Sequence, residues 1–112
     1  MSLFCLSQNK NDIIGQPLRI SKLEIAQYDF ANKMKWIEAV NLCNDLGKGW
    51  RLPTFAELNV LYKNKKSLEM NNSWYWSSTT EQEGYTTRDF QVGYSAYGPL
   101  NSINYVRAVR NY

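Results

Sequence analysis

The six residues Gly49-Trp50-Arg51-Leu52-Pro53-Thr54 restrict the fold of this chain more than any other stretch. Gly47 and Gly49 stop whatever helix precedes them, and Pro53 keeps the approach to the next element extended. Thr54, with Glu57 three residues on, has the spacing of a capping box, in which each side chain satisfies an orphan donor of the first helical turn. The stretch therefore reads as a hinge between two short helices. Trp50 and Leu52 fall on one side of it and must be buried. The aromatic run Trp74-Tyr75-Trp76-Ser77-Ser78-Thr79 is the partner that composition favours.

Around the hinge, hydrophobic period assigns the elements. From Lys33 to Leu46 the apolar positions Met34, Trp36, Ala39, Val40, Cys43 and Leu46 recur at steps of three and four, which predicts a helix with a core-facing stripe. A second helix is predicted from Phe55 to about Lys63, with Leu58, Leu61 and Tyr62 inward. Before the first helix, Leu18 to Ile20 reads as a short strand that Leu23 to Ala26 continues. After the second, Trp74 to Trp76 and Thr86 to Val92 read as strands, Gly93 to Ser102 as loop with a Gly98-Pro99 turn, and Ile103 to Val109 as a closing strand. Helices first and antiparallel strands later argue for α+β. Residues 1–12 read as a loose segment, and 13–112 as a single domain.

Composition excludes several chemistries. Histidine is absent, which removes Ser-His-Asp and Cys-His catalysis and every metal site that needs imidazole. Cys5 and Cys43 have no metal or redox spacing, and Cys43 on the helix stripe reads as a buried free thiol. The charge of +3 does not demand nucleic acid. No run approaches the ~18 apolar residues of a membrane span, and no signal peptide is evident. The compartment stays open: cell surface or secreted if a leader has been removed, cytoplasmic otherwise.

Met34-x-Trp36-x-x-Ala39, Cys43-x-x-Leu46-Gly47, the hinge with Glu57-Leu58, Tyr75-Trp76-Ser77-Ser78-Thr79, Phe90-x-x-Gly93 and Val106-Arg107-Ala108-Val109-Arg110 together resemble the bacterial Lcl C-terminal domain family, a domain of unknown function. The resemblance implies a C-type-lectin-like fold, related to the formylglycine-generating, sulfatase-modifying group, with two helices flanking small antiparallel sheets and a loop-rich C-terminal half. It also implies adhesin-like recognition of sulfated glycans and assembly as a trimer. The Glu-Pro-Asn and Trp-Asn-Asp triplets of calcium-dependent lectins are missing, as are the late paired cysteines of the oxidase group. No cofactor or metal is expected.

The functional reading is a non-enzymatic binding module for carbohydrate or anionic glycan. Tyr85, Arg88, Tyr94, Tyr97, Asn101 and Asn104, interleaved with Gly, Ser and Thr, have the composition of an adaptable binding surface, with Lys65 and Lys66 as the cations for an acidic ligand. Trp50, Arg51, Pro53, Thr54, Glu57, Trp76, Arg107 and Arg110 are assigned to structure, with Arg51 and Arg107 paired or stacked and Arg110 more open to ligand. Glu81, Glu83 and Asp89 offer carboxylates without a recognised ligand spacing. Protein-receptor binding, or a structural and oligomerisation role, is the alternative. Exposed Tyr94 and Tyr97 would mark a binding module, whereas burial across a symmetric contact would mark an assembly unit.

Overall fold

The computed structural model describes residues 9–81, 84–99 and 101–112. Cys5 and Glu83 lie outside the described residues, as does the side chain of Glu81. The described chain holds helices α1 (Lys10–Ile14), α2 (Trp36–Asp45) and α3 (Phe55–Lys63), and strands β1 (Leu18–Ile20), β2 (Leu23–Ile25), β3 (Trp74–Glu81), β4 (Gly84–Asp89), β5 (Ser95–Gly98) and β6 (Val109–Asn111). They form two antiparallel three-stranded sheets, β1-β2-β6 and β3-β4-β5. No described helix is long and apolar enough to cross a membrane.

The hinge ties these parts together. Arg51 exchanges both backbone hydrogen bonds with Val109 at 2.9 Å, so it extends the first sheet beside β6. Two residues on, the Pro53 carbonyl accepts from Ser78 N–H of β3 at 2.7 Å. Thr54 then caps α3: its hydroxyl accepts from Glu57 N–H, and the Glu57 carboxylate accepts from Thr54 N–H at 2.9 Å. Arg51 donates to both Glu57 oxygens at 2.7 and 2.9 Å, so the guanidinium locks the strand-like half of the hinge to the helix it introduces.

Removing the Glu57 carboxylate by Glu57→Ala deletes both functions. The pair is partly exposed, so screening limits the loss to about 1–2 kcal/mol, read as a lower denaturant midpoint. An unchanged midpoint would count against the lock. Glu57 and Glu24 are both held below the ordinary 4.5, chiefly by hydrogen bonds from Arg51 and from Arg110. Depressed carboxylates contribute stability that is full above the ordinary value and is lost as pH falls through the folded one. Stability is therefore expected to decline below about pH 4.5, and less steeply in Glu57→Gln.

Two cores lie on either side of β3, whose period of two sends neighbours to opposite faces. Trp76 joins Ala39, Cys43, Leu46, Trp50, Leu52 and Val106 under α2. Tyr75 joins Ile25, Leu58, Leu61, Leu68, Phe90 and Val109 under α3. The burial partner expected for Trp50 and Leu52 is thus Trp76. Burial pushes the Cys43 thiol up to about 12, so it is inert as a nucleophile.

Several elements differ from the sequence reading. Helix α1 starts at Lys10, inside the stretch read as loose, because the Asn9 side chain caps it and Ile13 buries beneath. Residues 18–26 make a hairpin, not one continued strand, turning at Ser21 with φ 56°. Met34 is buried but precedes α2, in an extended bridge to Asn104. Strand β4 ends at Asp89, and Val92 is 57% exposed in the following turn. Within the expected loop, Ser95–Gly98 pairs with β4 as a strand. The closing strand is confined to Val109–Asn111, and Val106 to Val109 are all buried, so no face of that segment meets solvent.

Candidate functional site

Strand register decides which of the expected ligand residues share a face. Thr86 stands opposite Tyr97, and Arg88 opposite Ser95, so these four side chains lie on one face of the β3-β4-β5 sheet. Tyr85 and Gly98 belong to the other. The helices confirm the division. The Arg88 guanidinium lies 4.6 Å from the Tyr62 ring and 5.8 Å from the Phe55 ring, both on α3. Tyr85 instead stacks on Trp36 of α2 at 3.8 Å with planes 10° apart.

On the α3 face, the sheet extends past the start of the helix and leaves a cleft of about 250 Å3 lined by Phe55, Thr79, Thr86, Ser95, Ala96 and Tyr97. That volume suits one sugar ring or one side chain rather than a drug-sized ligand. Phe55 and the half-exposed Tyr97 supply aromatic walls, and the Thr and Ser hydroxyls supply polar ones. The Thr79 hydroxyl already accepts from Phe55 N–H at 2.9 Å, which fixes the helix start against the floor. Thr86 is likewise committed, in a hydrogen bond with the Ser77 hydroxyl.

Arg88 is the unusual group beside this cleft. Arg19, Arg51, Arg107 and Arg110 each pair with a carboxylate. Among the described residues Arg88 has no acidic partner, and its buried Nε has no hydrogen-bond acceptor. Among the described residues the contacts that hold it are ring faces, an arrangement that positions a cation without neutralising it.

The remaining expected residues are dispersed. Lys65 donates to the Phe90 carbonyl at 2.6 Å and to that of Gln91 at 3.4 Å, so it braces the β4–β5 turn. Lys66 and Asn101 are exposed, and Tyr94 is 71% exposed just before β5. Asn104 is half-buried and pairs through its backbone with Met34. Arg110, expected to be open to ligand, is engaged: it donates to Glu24 at 2.5 Å and lies over the Trp50 ring. Asp89 accepts from Gln91 and Val92 N–H, which ties its carboxylate to the turn. Sequence reading missed Phe55 as a cleft wall. Its signal was its place seven residues before Tyr62, which puts both rings on one stripe of α3.

Other recesses carry less chemistry. One of about 620 Å3 beside α1 is a shallow polar surface, and one of about 460 Å3 lies between the β1–β2 turn and α3. A third, about 370 Å3, overlies Asp29 and Arg107. There Arg107 donates to the Asp29 carboxylate at 2.6 Å and to the carbonyls of Ala26 and Leu68, while Asp29 also accepts from Tyr75 Oη at 2.5 Å and from Asn71 Nδ2. Burial, and then the Asp29 charge, raises the Tyr75 hydroxyl above its ordinary range, so it remains a donor. Arg107, Asp29 and Tyr75 are each partnered within this cluster, which makes it a strut. Among the described residues no three Cys, Asp or Glu converge as a metal site.

The Lcl C-terminal domain family's sequence model matches residues 8–110. A search of curated proteins finds no match. Among solved structures, EMS16, described as an antagonist of the collagen receptor integrin α2β1, superposes with a TM-score of 0.66 at 10% identity, covering 86% of this chain and 97% of that one. The fold is C-type-lectin-like, α+β with two small antiparallel sheets.

Proposed function

The chain belongs to the Lcl C-terminal domain family, and from that premise we propose that it is a non-enzymatic, adhesin-like module that binds carbohydrate, with preference for sulfated or otherwise anionic glycans. The observation that carries this reading is Arg88, a cation held by Phe55 and Tyr62 without a described counter-charge, beside a cleft walled by Tyr97. A sugar face stacks on the exposed ring, hydroxyls of the cleft take its polar edge, and a sulfate or carboxylate supplies the anion the guanidinium lacks. The ligand set expected from sequence is accordingly narrowed to Arg88 and Tyr97. Tyr85, Asn101 and Asn104 lie outside it.

Binding of dextran sulfate, with unmodified dextran as the uncharged control, tests the reading. Dextran sulfate is expected to bind, more weakly at physiological than at low salt. Arg88→Ala should lose at least about tenfold, the typical weight of a charge-assisted contact, while Asn101→Ala should not change it. Equal binding by wild type and Arg88→Ala would overturn the site. The second reading is recognition of a protein receptor, favoured by the fold neighbour's described action on an integrin. A folded protein that ignores every glycan would shift the weight to it.

A further inference from the structure

Phe90 and Gly93 belong to the turn between β4 and β5, and neither lines the cleft. Both nevertheless touch Tyr62. The Phe90 ring meets it edge to face at 5.5 Å, with planes 89° apart. Gly93 lies closer still: a Cβ there would stand 2.9 Å from Tyr62 Oη, 3.1 Å from Cζ and 3.3 Å from Cε2. Its φ of 91° is one that glycine adopts freely and other residues rarely do. Lys65 completes the arrangement, with its ammonium 4.9 Å from the Tyr62 ring and hydrogen-bonded to the Phe90 and Gln91 carbonyls of the same turn.

The turn is the fixed side of this contact. Asp89 N–H donates to the Tyr94 carbonyl at 2.8 Å, and Gly93 N–H to the Asp89 carbonyl at 2.9 Å. The Asp89 carboxylate accepts from Gln91 and Val92 N–H, and Phe90 is fully buried. A side chain added at position 93 therefore displaces the ring more readily than the backbone. Tyr62 is also the nearer of the two rings that hold Arg88, at 4.6 Å against 5.8 Å for Phe55. With no acceptor at its buried Nε, the guanidinium takes its place from that ring.

We infer that Gly93 is a positioning residue for the anion site and acts through Tyr62: the bare backbone at 93 lets the ring lie where Arg88 can rest on it. This rests on the reading of Arg88 as the cation that meets the ligand. Gly93 contributes no side chain of its own, and an alanine in its place leaves the charge, the cleft and the exposed Tyr97 as they are. What changes is the seat of the guanidinium. Binding must then order a long side chain that the native protein already holds in place. The Phe90-x-x-Gly93 spacing thereby acquires a role, with one residue bracing the edge of Tyr62 and the other giving its ring room.

Gly93→Ala brings both backbone strain and a displaced ring, and Gly49 separates the two. Its φ is 85°, but the nearest atom to a Cβ there is Arg110 Cβ at 3.8 Å, an ordinary contact. Gly49→Ala is thus the control for strain alone. Gly93→Ala is expected to bind dextran sulfate about three- to tenfold more weakly than wild type, the cost of ordering one long side chain. Gly49→Ala should bind as wild type does. A second readout needs no ligand. In a proton–nitrogen correlation spectrum the Arg88 Nε–H, assigned by its loss in Arg88→Lys, should move in Gly93→Ala toward its position in Tyr62→Leu, which lacks the ring. In Gly49→Ala and Tyr62→Phe it should keep its wild-type position. Should Gly93→Ala fail to fold, Gly93→Asn carries the same Cβ on a residue that better tolerates positive φ. An unmoved resonance, an unchanged affinity, or an equal loss in Gly49→Ala would overturn the inference. A wild type that does not bind dextran sulfate would refute the glycan reading instead, and the resonance alone would then decide whether Gly93 sets the place of Arg88.

Discussion

Asp29→Ala is expected to cost about 3–5 kcal/mol, because it leaves the Arg107 charge buried without its counter-ion. Arg107 is only 2% exposed and has three commitments: the Asp29 carboxylate and the carbonyls of Ala26 and Leu68. The guanidinium itself has almost no contact with solvent to compensate. The same carboxylate accepts from Tyr75 and Asn71, so a single truncation also strips a buried phenol of its acceptor. For a domain of this size the loss corresponds to a fall of roughly 10–25 °C in melting temperature. Asp29→Leu combined with Arg107→Met should recover part of it, since removing both charges abolishes the desolvation cost that removing one exposes. A single mutant within ~1 kcal/mol of wild type would show that the strut carries no net weight.

Trp76→Ala is the second large effect, again about 3–5 kcal/mol, by a different mechanism. The indole is fully buried, donates to the Met34 carbonyl at 2.7 Å and meets Tyr85 edge-on. Gly98 lies directly beneath it: a Cβ there would come within 2.6 Å of the ring. Truncation therefore opens a cavity bordered by the approach to α2 and by the end of β5, two places with few other ties. Thermal denaturation gives the cost. Near-UV circular dichroism should also lose intensity from the Trp36–Tyr85 stack that leans on this ring. Trp76→Phe retains most of the volume and should lose less than half as much, about 1–2 kcal/mol. A Trp76→Ala protein with native melting would refute the view that one ring anchors this half.

What was legible in the sequence was local. The capping box of α3 needs only Thr54 and Glu57, and the helix that follows ends where the apolar stripe ends, at Lys63. The run Trp74 to Trp76 read as a strand and as a burial partner for the hinge, without showing that Tyr75 and Trp76 enter different cores. The Arg107–Asp29 strut joins residues 78 positions apart, and nothing near Asp29 distinguishes it from a polar connector. Strand β5 was hidden for a related reason. In Ser95-Ala96-Tyr97-Gly98 only Tyr97 favours a strand, and β4 templates the rest through the hairpin. That hairpin also decides parity. Tyr85 and Tyr97 look equivalent in composition, yet the turn at Asp89 to Tyr94 sets a register that places them on opposite faces. A ligand surface read from composition is thus divided by one turn, and the half that keeps Arg88 is the half with a cleft.

Strand β2 takes its second neighbour, β6, from the far end of the chain. Ala26 and Phe30 donate to the carbonyls of Ala108 and Val106, and Glu24 receives Arg110. Residues 106–111 therefore supply one flank of residues 23–30, and β1 and α1 supply the other. On a ribosome the β6 flank of β2 stays open until that segment has emerged, with the β1–β2 hairpin alone on its other side meanwhile. This sheet cannot be completed before residues 109–111 have been made, and a nascent chain halted before residue 106 lacks the strand that closes it beside β2.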